Sequence, residues 1–239
     1  MMRDWEKFAE SLPVEQREYL KKYLKNAPDW LLDSFQMITV SANAAFVEEG
    51  EPADSIYILI KGKVSAIEER VFEIVYRHYE FYPIEVFGAL ELIGEFEEYM
   101  TTLIAEEKCV LLKTSREKYE RWLSEDHNAF RMQSAKIERY LLKQARKERL
   151  NLLLGGTERV AMMLCRSYEV LSEGVSKAVC VGRREVFEKT GLSERTVTRV
   201  LKDLEAKSYI SRQGWNVIIS FEQYQKLKEM LEDIIYHAE

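Results

Sequence analysis

Cysteine and histidine are scarce, and long apolar runs are missing. Three cysteines, Cys109, Cys165 and Cys180, occur in 239 residues. They are scattered, odd in number and form no CxxC, which argues against a disulfide framework and fits a reducing cytosol. An iron–sulfur cluster takes about four cysteines, so none is expected. The three histidines lie far apart, and there is no GxSxG, no P-loop and no metal-ligand spacing, so an enzyme is not expected. No apolar run approaches the length of a membrane span. The N-terminus, MMRDWEKFAESLP, carries charges every few residues and no apolar stretch, so no signal peptide is expected. A cytoplasmic protein with no membrane partner and no cofactor follows as the expectation. Basic residues are also short in the front of the chain. Residues 1–120 carry a net charge of −10, residues 121–150 a net of +4, and residues 151–239 are balanced. A polyanion would be repelled by the first part and met by the second.

What is present suffices for a packed core: 46% of residues are apolar and 32% charged, and the length fits one large domain or two modest ones. Residues 4–25 space Trp5, Phe8, Leu12, Tyr19 and Tyr23 helically, with Pro13 opening a second helix. The period then changes to two. Ile56, Ile58 and Ile60 alternate with Tyr57, Leu59 and Lys61, Gly62 marks a turn, and Val64 and Ala66 continue as a second strand. Residues 71–82 read as a strand, and 101–115 as two strands around a charged turn. The stretch 35–115 therefore predicts a small barrel or sandwich of short strands. Helical spacing returns at Ser115, with Tyr119, Trp122 and Leu123 on one face. A long helix from about His127 spaces Phe130, Ser134, Ile137, Leu141, Gln144 and Lys147/Glu148 like a coiled-coil seam, which predicts homodimerisation through residues 127–150. Gly155 and Gly156 break that helix as a candidate hinge. Thr157 is expected to cap the next helix, with Val160, Met163, Leu164 and Tyr168 or Leu171 inward.

Residues 182–220, GRREVFEKTGLSERTVTRVLKDLEAKSYISRQGWNVIIS, are the most specific stretch. A short helix over 184–189 leads to the turn Thr190-Gly191-Leu192, where Gly191 suits a positive φ. Ser193 then caps a helix that buries Val197, Val200, Leu201 and Leu204 and exposes Arg195, Thr196, Arg199 and Lys202. A hairpin follows around Gln213-Gly214-Trp215-Asn216. This is the pattern of a winged helix-turn-helix. A helix of this kind fits the major groove. Arg199 could take guanine, with Ser193, Glu194, Arg195, Thr196 and Lys202 beside it. Arg183, one turn before the first helix, and Arg212 in the wing are placed for phosphates.

Over about residues 30–220 the chain resembles the CRP/FNR family of bacterial transcription regulators. EEGEPADSIYILIKGKV resembles that family's barrel signature, the long helix before Gly155 its dimerisation helix, and RREVFEKTGLSERTVTRVLKDLEAKSYI its DNA-binding signature. The family's base-reading residues fall on Ser193 to Arg199. The chain has Glu194-Arg195 where many members have Arg-Glu, so the operator cannot be copied across. The resemblance implies an α+β chain: an N-terminal β-barrel or jelly-roll sensor domain with N-terminal helices (1–115), helices including the dimerisation helix (116–154), and a winged helix-turn-helix domain with an extra C-terminal helix (155–239). That last helix places Tyr224, Leu227, Leu231 and Ile234/Ile235 on one face. The implied partners are double-stranded DNA with a pseudo-palindromic operator, a second copy of the chain and, as a further candidate, RNA polymerase.

Cyclic-nucleotide-binding members of the family read roughly Gly-Glu-Leu-(Gly/Ala), then Arg-(Ser/Thr)-Ala about ten residues on. Here Gly88, Ala89 and Leu90 stand in the first part, and Tyr99 or Met100 at the arginine position. No Arg or Lys lies between Arg77 and Lys108, while Glu91, Glu95, Glu97 and Glu98 crowd the loop. Carboxylates without a cation repel a phosphodiester, so cAMP is not expected in the usual mode. Haem would need His78 or Cys109, and His78 reads as a packed or solvent-facing strand residue. The effector is unknown. A cavity between barrel and long helix, with Gln144 nearby, could take a small apolar or peptide ligand. Alternatively the protein is ligand-independent or protein-partnered, with the barrel as a scaffold and the acidic face of residues 85–98 as a docking surface.

Overall fold

A computed structural model describes the backbone of residues 3–70 and 74–236, and the side chains of those outside 68–78, 147–148, 150–153 and 233–236. Readings that touch Val71 to Glu73, His78, Lys147, Glu148, Ile234 and Ile235 lie outside the described residues. The chain forms two compact units, one of Met1–Glu68 and Arg77–Lys143, the other of Glu69–Tyr76 and Gln144–Glu239.

In the first unit, α1 (Asp4–Ala9), α2 (Val14–Tyr23) and α3 (Asp29–Leu32) precede the strands. The strands are β1 (Gln36–Val40), β2 (Ala45–Val47), β3 (Ser55–Lys61), β4 (Val64–Arg70), β5 (Ile74–Phe81), β6 (Glu85–Phe87), β7 (Thr102–Ala105) and β8 (Cys109–Ser115), with α4 (Ala89–Ile93) after β6. They make two four-stranded sheets, ordered β1-β8-β3-β6 and β2-β7-β4-β5, rather than one closed barrel. All neighbours with a described register are antiparallel. The arrangement is a jelly-roll sandwich.

The alternation read in β3 has a clear cause. Tyr57 and Leu59 join Val47, Val64, Phe81, Phe87, Leu103 and Leu111 in a core fed by both sheets. Ile56, Ile58 and Ile60 join Trp5, Leu20, Tyr23, Leu31, Tyr119 and Trp122 in a second core made with helices. β3 is therefore covered on both faces, which is why its residues are apolar at consecutive positions. Ser115 accepts from the Lys118 amide and caps α5 (Arg116–Glu125). α6 (His127–Leu153) follows, with the Asp126 carboxylate accepting from the Asn128 and Ala129 amides at 3.0 Å. On α6 Phe130, Leu141 and Leu142 are exposed, and Ser134 and Ile137 are half-buried.

The second unit contains α7 (Gly156–Ser172), β9 (Val179–Gly182), α8 (Arg183–Thr190), α9 (Glu194–Ala206), β10 (Ser211–Gln213), β11 (Asn216–Ile219) and α10 (Phe221–Tyr236). Its sheet is ordered β10-β11-β9. Val160, Leu164, Val181, Val186, Val197, Leu201, Leu204, Val217, Ile219 and Leu227 form its core. The expected cap is corrected: Gly155 is the N-cap of α7, without a side-chain bond, and Thr157 lies one residue inside the helix. α10 packs on α7, where Tyr224 stacks on Tyr168 at 4.5 Å and donates to the Glu169 carboxylate at 2.8 Å. No helix among the described residues is long and apolar enough to cross a membrane.

Candidate nucleic-acid interface and ligand cavity

α8 and α9 are joined by the turn that Gly191 closes, at φ +65°. Ser193 caps α9 by accepting from the Thr196 amide, and its hydroxyl is 2.9 Å from that of Thr196. Val197, Val200, Leu201 and Leu204 face the core. Ser193, Glu194, Arg195, Arg199 and Lys202 are exposed together on the other side. Among the described residues no ion pair engages Arg195, Arg199 or Lys202. Thr196 departs from the sequence reading. It is half-buried, because its methyl faces Gly156 at the start of α7. A groove of about 560 Å³ runs there, lined in part by Gly155, Gly156, Thr196, Arg199 and Asp203. Neither Gly155 nor Gly156 adopts a positive φ.

The two arginines assigned to phosphates are both engaged within the chain. Arg183 is the first residue of α8, not one turn before it. Its guanidinium lies 5.3 Å from the Phe187 ring and 5.0 Å from the Trp215 ring, and donates to the Thr198 hydroxyl. Arg212 of β10 donates from Nε to the Glu205 carboxylate of α9 at 2.7 Å and pairs with it through NH2 as well. That carboxylate raises the Arg212 pKa. No local pattern announces the approach of Arg183 to Trp215, because the contact joins the wing turn to a helix 32 positions earlier.

In the first unit Gly88 caps α4 at φ +85°. A Cβ there would lie 2.6 Å from the Ser55 carbonyl oxygen, so only glycine fits. Ala89 is fully buried and Met100 exposed. Tyr99 is buried and donates to the Ser55 carbonyl at 2.7 Å, and burial raises its pKa. Gly88, Leu90 and Tyr99 line a cavity of about 70 Å³ with Phe81, Glu85, Glu91, Lys136 and Tyr140. Ala89, Met100 and Gln144 do not line it, and Gln144 belongs to the second unit.

Two features correct the electrostatic reading of this loop. Glu91 is buried and accepts from the Met100 amide at 3.2 Å, so it is no part of an exposed acidic face, whereas Glu95, Glu97 and Glu98 are exposed. A cation is also present, brought from a distant position: Lys136 of α6 pairs with Glu85 at 3.2 Å and donates to the Ile84 carbonyl. Desolvation raises the Glu85 pKa and lowers that of Lys136. Burial thus outweighs the mutual attraction on both partners. Cys109 is buried, with its thiol 3.3 Å from the Lys63 carbonyl.

Residues 37–126 match the family model of the cyclic nucleotide-binding domain. The cAMP-activated global transcriptional regulator CRP of Pasteurella multocida is 24% identical over 196 residues, which cover 80% of this chain and 93% of that protein. Its Escherichia coli counterpart is 22% identical over the same share of this chain and 92% of its own. Among solved structures, the c-di-GMP responsive global regulator CLP of Xanthomonas campestris superposes with a TM-score of 0.68, at 23% identity, over 80% of this chain and 97% of that one. A CRP-family transcriptional regulator from Thermus thermophilus does so with a TM-score of 0.61, at 19% identity, over 82% and 96%. The structures share the fold. Residues 37–126 thus match a cyclic nucleotide-binding domain, and over 80% of its length the chain is similar to CRP-type transcriptional regulators.

Proposed function

We propose that the protein is a sequence-specific DNA-binding transcription regulator that acts as a homodimer in the cytoplasm and does not respond to cAMP in the manner of its named relatives. The observation that carries the DNA reading is the exposed face of α9, where Arg195, Arg199 and Lys202 stand without carboxylate partners around a capped helix start. Such a face offers donors to base edges and cations to phosphates. In this reading Arg199 takes a guanine, Ser193, Glu194, Arg195, Thr196 and Lys202 flank it, and Arg183 and Arg212 approach the backbone. The dimer forms through residues 127–150, a reading supported by the exposed Phe130 and Leu141 on α6. Two reading helices then meet successive major grooves of a pseudo-palindrome. The working divisions are 1–115, 116–154 and 155–239, with Gly155 and Gly156 as the hinge between reading states. RNA polymerase is the partner through which occupancy would change transcription.

A cyclic nucleotide is disfavoured on two grounds. The cavity of about 70 Å³ is far below the roughly 300–1,000 Å³ of ligand pockets. Its one basic side chain, Lys136, is committed to Glu85. The same small cavity favours the second reading, a sensor domain that serves as scaffold or as a docking surface for another protein. Electrophoretic mobility shift with a duplex selected from a randomised pool, with and without millimolar cAMP, tests the proposal. Tight binding indifferent to cAMP is expected. Binding that cAMP tightens would overturn the cavity reading, and retention of no duplex would overturn the DNA reading.

A further inference from the structure

Trp215 is the most exposed large apolar residue described, with 76% of its surface open. It occupies the turn between β10 and β11, flanked by Gln213, Gly214 and Asn216, all exposed. A single exposed apolar side chain is ordinary in itself; what distinguishes Trp215 is the contact that holds it. Its position is fixed. The Arg183 guanidinium lies 5.0 Å from the Trp215 ring and 5.3 Å from the Phe187 ring, and donates to the Thr198 hydroxyl on α9. One planar cation therefore ties the wing tip to the flank of α9, next to the exposed Arg195 and Arg199.

From this arrangement we infer that Trp215 is a DNA-contacting residue of the wing, which lays its open indole face on the deoxyribose edge of the backbone flanking the groove read by α9. The inference rests on the DNA reading above and adds a contact of a different kind. The residue is uncharged, so it displaces no counterion, and its contribution is independent of salt. Stacked over a guanidinium, the indole is also held in one orientation, so little side-chain freedom is lost on binding. Because the contact is apolar and made to sugars, it favours backbone geometry over base identity.

The test measures affinity of the full-length protein for a duplex selected from a randomised pool, at several salt concentrations, together with acrylamide quenching of tryptophan emission. Trp5 and Trp122 are buried and Trp30 is half-buried under Arg121, so Trp215 dominates the quenching. Trp215→Ala is expected to weaken binding roughly five- to twentyfold at every salt concentration, with the slope of log K against log salt unchanged. Trp215→Phe should recover most of the loss. Trp215→Lys should steepen the slope by about one. In the wild-type complex the quenchable tryptophan should become shielded. Unchanged affinity in Trp215→Ala, or an indole as accessible in the complex as in the free protein, would overturn the inference while leaving DNA binding intact. A slope that falls by about one in Trp215→Ala would also overturn it, by showing the indole to be only a platform for Arg183. If the wild-type protein retains no duplex, the DNA reading itself fails, and this one with it.

Discussion

Gly156, the first residue of α7, faces Thr196 of α9 so closely that a Cβ on the glycine would stand 3.4 Å from the Thr196 methyl and 3.8 Å from a Val200 methyl. These are ordinary van der Waals separations, and Gly156 has no positive φ. One methyl group therefore fits. Gly156→Ala should raise unfolding stability by about 0.4–1 kcal/mol, read from a urea transition. Gly156→Val adds two further methyl groups against the start of α9. It should cost about 1–3 kcal/mol and weaken duplex binding, since Thr196 moves with its helix.

Arg199 is exposed and unpaired among the described residues. Arg199→Ala should cost about 1–3 kcal/mol of duplex affinity and relax selectivity at one base position, measured by repeating selection from a randomised pool with the variant. A selected sequence identical to that of the wild type, at equal affinity, would remove Arg199 from the interface.

Arg212 is held by Glu205, and both side chains are about one-third exposed. Glu205→Gln releases the guanidinium toward a bound backbone. Duplex affinity should rise at low salt, and the salt slope should steepen by about one. Thermal stability should fall only slightly, because an exposed pair contributes about 0–1 kcal/mol.

The Glu85–Lys136 pair predicts a pH dependence. Burial raises the Glu85 pKa above 4.5 in the fold. The folded state therefore holds that proton more tightly than the unfolded chain, and the group's contribution to stability is greatest below pH 4.5 and falls as pH rises through the folded value. Lys136→Met removes the compensating cation and pushes the carboxyl higher. The variant should lose about 3 kcal/mol at pH 8 and clearly less at pH 5, compared by urea unfolding at both. An equal loss at the two pH values would exclude Glu85 as the responsible group.

Gly88→Ala places a methyl group 2.6 Å from the Ser55 carbonyl oxygen at a φ of +85°, and should cost at least about 1–3 kcal/mol. Tyr99→Phe deprives the same carbonyl of its buried donor and should cost about 1–3 kcal/mol. Both are measured by thermal unfolding.

Much of the fold was legible in local patterns. The alternation through Ile56–Ile60, the Ser115 and Ser193 caps, the Gly191 turn and the wing hairpin are all set by residues within a few positions of each other, and each was found where its chemistry placed it. What was not legible came from partners distant in sequence. Lys136 supplies a cation to a loop fifty residues earlier, so a scan of the loop alone found only acid. Arg183 and Arg212 read as free cations, although Trp215, Phe187, Thr198 and Glu205 engage them. Thr196 read as exposed because nothing nearby in sequence announces Gly156 above its methyl group. Thr157 read as a cap because threonine commonly is one, yet the helix is capped two residues earlier, at Gly155.

The double cover on β3 bears on how the first unit can be cut or opened. Trp5, Leu20, Tyr23 and Leu31 lie against the same isoleucines that the sandwich leaves on its outer side. The N-terminal helices are thus a third layer of the domain. A fragment trimmed back to the matched residues 37–126 would keep Tyr119 and Trp122 but lose Trp5, Leu20, Tyr23 and Leu31, partly bare Ile56, Ile58 and Ile60, and self-associate through them. For the same reason the amides of β3, flanked by β6 and β8 and roofed on both sides, should be the last in this unit to exchange with deuterium, because no motion short of global unfolding frees them.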